Sequence, residues 1–312
     1  MKETVLRVED LRTHFFTRSG VVKAVDGVSL SVGERETLGI VGESGSGKSM
    51  TALSILRMVP APAGKIVGGR ILLRGDDLLQ KTEKEMQKIR GSRISMILQD
   101  PMTSLDPLFT IGDQLAEPIR IHQQDGTTSV QARVEEMLRL VKIASPERRV
   151  QRIVGAIALA CQPELLIADE PTTSLDVTIQ AQFLALLKEV QRQLNLAMIV
   201  ITHDFGIVAR LCHRVAVMYA GRIVEEADVR TLFRSPAHPY TIALLRSLPQ
   251  LGREAERLFS IGGHPPDLRQ LPQGCSFAPR CPKAIEVCTT EYPAQREVSE
   301  GHRVRCYLPA TG

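Results

Sequence analysis

Residues Gly42 to Ser49 read GESGSGKS, preceded by the apolar run ETLGIV and followed by MTALSILRMV. A short apolar run without alternation reads as a strand buried on both faces, and the run after the glycines reads as a helix. In a strand, glycine turn and helix of this kind, backbone N–H groups can point inward around phosphate oxygens, because glycine leaves no Cβ in the way. Gly42, Glu43, Ser44, Gly45, Ser46 and Gly47 then form the cradle. Lys48 reaches the β- and γ-phosphates, and the Ser49 hydroxyl is a Mg²⁺ ligand. The positive end of the following helix adds to the attraction.

Two further apolar runs, LLIAD (165–169) and AMIVIT (197–202), are also of the kind buried in a parallel sheet. The first ends in Asp169, placed to hold Mg²⁺ through water, and in Glu170, placed to polarise an attacking water. The second continues as VITHD and presents His203 to the γ-phosphate. The fold class is therefore α/β, with a phosphate loop on a parallel core sheet.

Residues 3 to 32 alternate polar and apolar and read as antiparallel strands. GGRILLRGDDLL reads as another strand with a turn, and RVAVMYAGRIVEE as a hairpin turning at Ala220-Gly221. Residues 128 to 142 read as a helix with Val130, Val134, Met137, Leu138 and Val141 on one face. From Ser235 onward proline and glycine multiply, which places a boundary there: a nucleotide-binding domain over 1–235 and an extension over 236–312.

The 39 basic and 35 acidic residues leave a net charge of +4, too mild to argue for nucleic acid. No apolar run approaches the ~20 residues of a membrane helix, and charges interrupt the start MKETVLRVEDLRTHFF, so a cytosolic chain is expected.

GESGSGKS, ILQDPMTSLDP, LLIADEPTTSLD and VITHD, in that order, resemble the ATP-binding subunits of ABC transporters. GCSFAPRCPKAIEVC and AHPYTIALLRSLP resemble the C-terminal extension of the dipeptide and oligopeptide importer branch, which includes nickel importers. The resemblance implies an ABC ATPase fold with an antiparallel β subdomain and a helical subdomain, and ATP hydrolysis coupled to peptide uptake. It implies that Gln99 senses Mg²⁺ and the membrane partner, and that Asp176 faces a second nucleotide-binding domain. Phe15, or its neighbour Phe16, would stack on adenine, and the TSLD of 103–106 would form a partner-facing loop. The implied partners are two membrane permease subunits, a second ATP-binding subunit and an extracytoplasmic peptide-binding protein. The chain would sit peripherally on the cytoplasmic side of the inner membrane.

Cys275, Cys281, Cys288 and Cys306 follow the spacing C-x5-C-x6-C-x17-C in a proline-rich segment poor in apolar residues. Four thiolates suit tetrahedral zinc or a four-iron cluster. The resemblance favours a [4Fe-4S] cluster. Cys161 and Cys212 stand alone in apolar surroundings and read as buried fillers.

Subunits of the resembled family work in pairs, each nucleotide closed over by the partner's LSGG signature. No SGG occurs in this chain, and VKIASPERR stands directly ahead of VQRIVGAIALACQPELLIADEP, which carries the rest of the family's helix after the signature. The helical subdomain is thus expected to be reduced. Ser145-Pro146 reads as a helix start, giving one helix from about Pro146 to Cys161 with Val150, Ile153, Val154 and Ile157 on its apolar stripe. Glu147 at that start would repel a phosphate, with Arg148 and Arg149 softening the repulsion. The chain is expected to be either a working ATPase subunit or a degenerate one that binds ATP without driving transport. A soluble ABC protein of DNA repair or translation fits less well, since the chain has one cassette and an importer-type tail.

Overall fold

The computed structural model describes residues 3–99, 105–106, 108–122, 129–141, 149–173, 176–248 and 260–308. The amino-terminal alternation forms β1 (Thr4–Thr17) and β2 (Gly20–Gly33), and the apolar run before the glycine loop forms β3 (Thr37–Val41), buried throughout. Helix α1 (Lys48–Ile55) follows, then β4 (Gly64–Leu73) and β5 (Asp76–Asp77), paired antiparallel across the expected turn. Helix α2 (Glu83–Ile89) opens with a full capping box, Thr82 against Glu85. After it come β6 (Ile94–Ile97) and the helices α3 (Ile111–His122), α4 (Val130–Leu140) and α5 (Arg149–Leu159). The chain continues through β7 (Leu165–Asp169), α6 (Val177–Leu194), β8 (Ala197–Ile201), α7 (Phe205–Leu211) and the hairpin β9 (Arg214–Tyr219) and β10 (Arg222–Asp228). Helices α8 (Val229–Arg234), α9 (Pro239–Arg246) and α10 (Val287–Thr290) precede the last strands, β11 (Arg296–Ser299) and β12 (His302–Val304).

The chain divides into two compact units. The first comprises residues 1–7, 31–37 and 71–201. Its parallel strands run β8, β7, β6, with β7 central: Leu165 lies opposite Ala197 on one side and opposite Ile94 on the other. β7 and β8 are buried along their whole length, which is why they carry no polar alternation. Helices α3, α4 and α5 pack on one another around Leu115, Ile119, Val134, Met137, Val141, Ile153 and Leu159. The expected face of α4 is the one that is buried. Arg133 on it donates from Nε to the Ala160 carbonyl beyond the end of α5, at 3.2 Å. Helix α5 ends at Leu159, two residues short of the expected Cys161. Its expected start at Ser145-Pro146, with Glu147 and Arg148, lies outside the described residues, as do 103–104 of the first TSLD.

The second unit comprises residues 8–30, 38–70 and 202–312. β3 pairs in parallel with β9, and β9 turns into β10 through Ala220 and Gly221, at φ 47° and 80°. Two consecutive positive φ values match the right-handed twist of the hairpin, so this turn was legible in the sequence. β12 then joins the far edge of β10 and pairs with β11. The extension shares one apolar core with β9, β10 and α7. Tyr240 and Phe277 are buried with Tyr219 of β9, their ring centroids 4.5–5.4 Å apart. Glu225 of β10 accepts from the N–H groups of Ala237 and His238 at 2.7 and 2.8 Å, and lies 2.8 Å from His302 Nε2. The tail is therefore held by strand pairing and aromatic packing as well as by whatever its cysteines do.

Candidate functional site

The phosphate loop lies in the second unit, between β3 and α1. Gly47, the residue before α1, has φ 103°, and a Cβ there would come within 2.3 Å of the Ala24 carbonyl oxygen. A Cβ on Gly42 would meet the Met218 carbonyl oxygen at 2.2 Å. The loop thus fits only with glycine at these two places. Lys48 is buried, and its Nζ donates to the carbonyls of Gly42 and Glu43, both at 2.9 Å. The Ser46 hydroxyl is buried and has no hydrogen-bond partner among the described residues. A buried hydroxyl left so is costly, and a phosphate oxygen at the loop would satisfy it. Ser44 and Gly45 are exposed at the tip, and Ser49 is half-buried on the first turn of α1.

Two sequence-predicted residues of the second unit flank other elements. His203 is exposed immediately before Asp204, which caps α7. Phe15 packs where a Cβ on Gly64 would stand, while Phe16 is 48% exposed with the Lys65 ammonium 5.7 Å from its ring centroid.

The carboxylates lie in the first unit. Asp169 ends β7 and is 3% exposed. Glu170 follows at φ 46°, its N–H donating to the Ile201 carbonyl at 2.9 Å, which turns the chain sharply off the strand end. Its Oε2 accepts from the Thr173 hydroxyl at 2.9 Å and from Gln99 Nε2 at 3.3 Å. Gln99 and Glu170, 71 positions apart in sequence, are therefore brought together. Asp176 has a local task that was overlooked in the sequence: it caps α6, accepting from the Ile179 N–H at 2.9 Å. The signal was present, an aspartate directly ahead of a run with Phe183, Leu184, Leu187 and Val190 on one face.

Cys275, Cys281, Cys288 and Cys306 all line one small cavity of the extension, with His238 and Phe277 beside them. Burial pushes the Cys275 thiol up to about 11 and also raises Cys281 and Cys306. The donor chemistry is that of a four-sulfur site. As placed, however, no group of three or more metal-ligating side chains among the described residues is arranged to hold an ion. Cys161 is buried with its thiol 3.4 Å from the Pro118 carbonyl, as expected of a filler. Cys212 is only half-buried, packed against the apolar core of the second unit, where desolvation pushes its thiol up to about 12.

Sequence reasoning missed Arg280 and Tyr240. Arg280 grips Glu43 of the phosphate loop with two nitrogens, and the Tyr240 hydroxyl accepts from the Glu43 N–H at 2.8 Å. Nothing local marks either residue, since their partner lies 237 and 197 positions away.

A family model described as "ABC transporter" matches residues 25–173, and one described as "Oligopeptide/dipeptide transporter, C-terminal region" matches residues 224–288. The chain is 50% identical over 319 residues to a probable peptide ABC transporter ATP-binding protein, y4tR, of Sinorhizobium fredii, covering 98% of this chain and 95% of the relative. It is 48% identical over 318 residues to the dipeptide transport ATP-binding protein DppD of Bacillus subtilis, with 98% and 95% covered. Both matches are longer than the 312 residues present here, so each relative carries residues that this chain lacks. Among solved structures, cbiO1 from Clostridium perfringens, part of the ABC transporter complex cbiONQ, is similar with a TM-score of 0.64 and 26% identity, covering 74% of this chain and 91% of that one.

Proposed function

We propose that this chain, which belongs to the ATP-binding subunits of peptide ABC transporters, hydrolyses ATP to energise the uptake of peptides. The chain has the ABC ATPase cassette fold. The observation that carries the reading is the phosphate loop itself: glycines that admit no Cβ, a buried lysine and the orphaned Ser46 hydroxyl.

On this reading Lys48 leaves the Gly42 and Glu43 carbonyls for the β- and γ-phosphates, and Ser46 and the loop amides take phosphate oxygens. Mg²⁺ would be held by Ser49, by Asp169 through water, and by Gln99. Glu170, oriented by Thr173 and Gln99, polarises the attacking water, and His203 contacts the γ-phosphate. Phe15 stacks on adenine, and Asp176 faces the second ATP-binding subunit. A boundary near residue 235 marks where the extension over 236–312 begins. Four thiols on one cavity support a [4Fe-4S] cluster there, with zinc the other candidate. The described residues include no helix long and apolar enough to cross a membrane. Peripheral attachment to the inner membrane face is the matching location, with two permease subunits and an extracytoplasmic peptide-binding protein as partners. No nucleic acid takes part.

The absent SGG sequence makes the pairing asymmetric. A second subunit with an intact signature can close over the nucleotide on Lys48, but this chain offers its partner none. The test is ATP turnover by the purified chain alone, and with permease and second ATPase subunits. Turnover is expected only in the complex, eliminated by Glu170→Gln in this chain and largely spared by the equivalent change in the partner. Robust turnover by the chain alone would overturn the asymmetry. No turnover in the full complex would make this a degenerate subunit.

A further inference from the structure

Arg280 is one residue ahead of Cys281, in the short turn Ala278–Arg280, yet it is not among the side chains lining the cysteine cavity. Its guanidinium instead reaches the phosphate loop. Nη1 donates to Glu43 Oε2 at 2.7 Å and Nη2 to Glu43 Oε1 at 3.0 Å, the fork-to-fork geometry of a strong arginine–carboxylate pair. Further bonds fix the guanidinium: Nη1 to the Tyr219 hydroxyl at 3.2 Å, Nε to the Gly262 carbonyl at 2.9 Å, and Nη2 to the Ile261 carbonyl at 3.4 Å. The side chain is 4% exposed, against 26% for Glu43. Arg280 is therefore locked before any nucleotide arrives.

The loop is built to receive a polyanion, and Glu43 adds a carboxylate to it. Its backbone is fully engaged in the loop: the carbonyl accepts from Lys48 Nζ and from the Ser46 N–H, and the N–H donates to Tyr240. A shift of Glu43 would thus carry Lys48 and Ser46 with it. An unpaired negative charge there would oppose phosphate binding, in a partly buried setting where screening is weak.

We propose that Arg280 is a positioning residue for the phosphate loop: by cancelling and clamping the Glu43 carboxylate, the C-terminal extension sets the affinity of the loop for nucleoside triphosphate. The proposal rests on the loop being the nucleotide site. It goes beyond that reading by giving the extension a part in ATP binding that its cysteines do not supply.

The test is equilibrium binding of ATP and ADP to the purified full chain. The variants are Arg280→Ala, Arg280→Lys, Glu43→Gln and the double Glu43→Gln/Arg280→Ala, each checked for folding by its thermal melt. Arg280→Ala should weaken ATP about tenfold, as truncating one member of a buried charge pair does, and weaken ADP less because it carries less charge. Arg280→Lys should keep most of the affinity. Made on a Glu43→Gln background, the Arg280→Ala change should cost no more than about threefold, because the opposing charge is already gone; this comparison decides the matter if Arg280→Ala alone does not fold. Wild-type affinity in Arg280→Ala would overturn the proposal. So would a tenfold loss on adding Arg280→Ala to Glu43→Gln. If Lys48→Ala binds ATP like wild type, the failure lies in the phosphate-loop reading instead.

Discussion

Eight consecutive residues make the phosphate loop, whereas the four cysteines around the cavity of the extension come from positions 275 to 306. The loop works through backbone: its shape comes from positive φ and the missing Cβ atoms of Gly42 and Gly47. The extension works through side chains, with an aromatic trio, the Glu225 network and Arg280 holding it in place. A backbone device must be written at fixed spacing in one stretch, so it announces itself. A side-chain device is assembled from wherever the fold brings its parts, so its parts look ordinary until the fold is known.

The largest effect belongs to the loop. Lys48→Ala removes the buried charge of the loop proposed to hold the phosphates and should weaken ATP binding roughly a hundredfold or more, measured by titration of the full chain. Equal binding would end the comparison, since the loop would then not be a nucleotide site.

The second effect tests the backbone claim directly. Gly47→Ala adds one methyl group where the Ala24 carbonyl oxygen stands 2.3 Å away, at φ 103°. The strain and clash together should cost about 3 kcal/mol of stability, read from urea melts, and ATP affinity should fall with it. A wild-type melt would mean that the loop tolerates side chains and its glycines are incidental.

Asp26 supports the loop from below and gives a pH signature. Its N–H donates to the Gly221 carbonyl at 2.9 Å, and the Gly221 N–H donates to the Ser46 carbonyl at 2.9 Å. Its carboxylate accepts two bonds from Arg222, at 2.7 and 3.2 Å, and lies 3.4 Å from an Arg12 nitrogen. Burial pushes this carboxyl up, but the Arg222 and Arg12 guanidinium groups and the Lys23 charge outweigh it and hold it below the ordinary 3.8. A depressed carboxyl contributes stability that is complete above the unfolded value and disappears as pH falls through the folded one. Asp26→Asn should therefore lose about 2 kcal/mol at neutral pH, the scale of a hydrogen bond to a charged group. The deficit should shrink only below about pH 3.8. A deficit that is the same at pH 7 and in strong acid would exclude the ion pair as its cause.

Legibility followed the same division. β3, β7 and β8 were readable because a strand buried on both faces leaves an unbroken apolar run. The hairpin was readable at Ala220-Gly221, and the buried face of α4 from its spacing. The hydrogen bond of Gln99 to Glu170 was not readable, because it joins side chains 71 positions apart. β11 was not readable, because all four of its residues are exposed and show no alternation. Helix α3 carries Pro118 in its interior, which argues locally against a helix, and tertiary packing of Leu115 and Ile119 overrides that. The Arg280–Glu43 pair was invisible because neither residue type is unusual in its own segment.

The smallest effect separates the two ways the extension holds the loop. Tyr240 is fully buried, and its hydroxyl accepts from the Glu43 N–H at 2.8 Å. Tyr240→Phe removes only that oxygen and keeps the ring against Tyr219 and Phe277. The amide loses a neutral acceptor, so stability should drop by about 1 kcal/mol. The Glu43 carboxylate and its Arg280 clamp are untouched, so no charge is uncovered beside the proposed phosphate site. ATP affinity should accordingly stay within about threefold of wild type, in contrast to the roughly tenfold loss expected of Arg280→Ala. If Tyr240→Phe instead weakens ATP as much as Arg280→Ala does, the loop is held by its amide rather than by its charge. The extension would then act on the backbone of the loop, and the division between the two regions would fail at their point of contact.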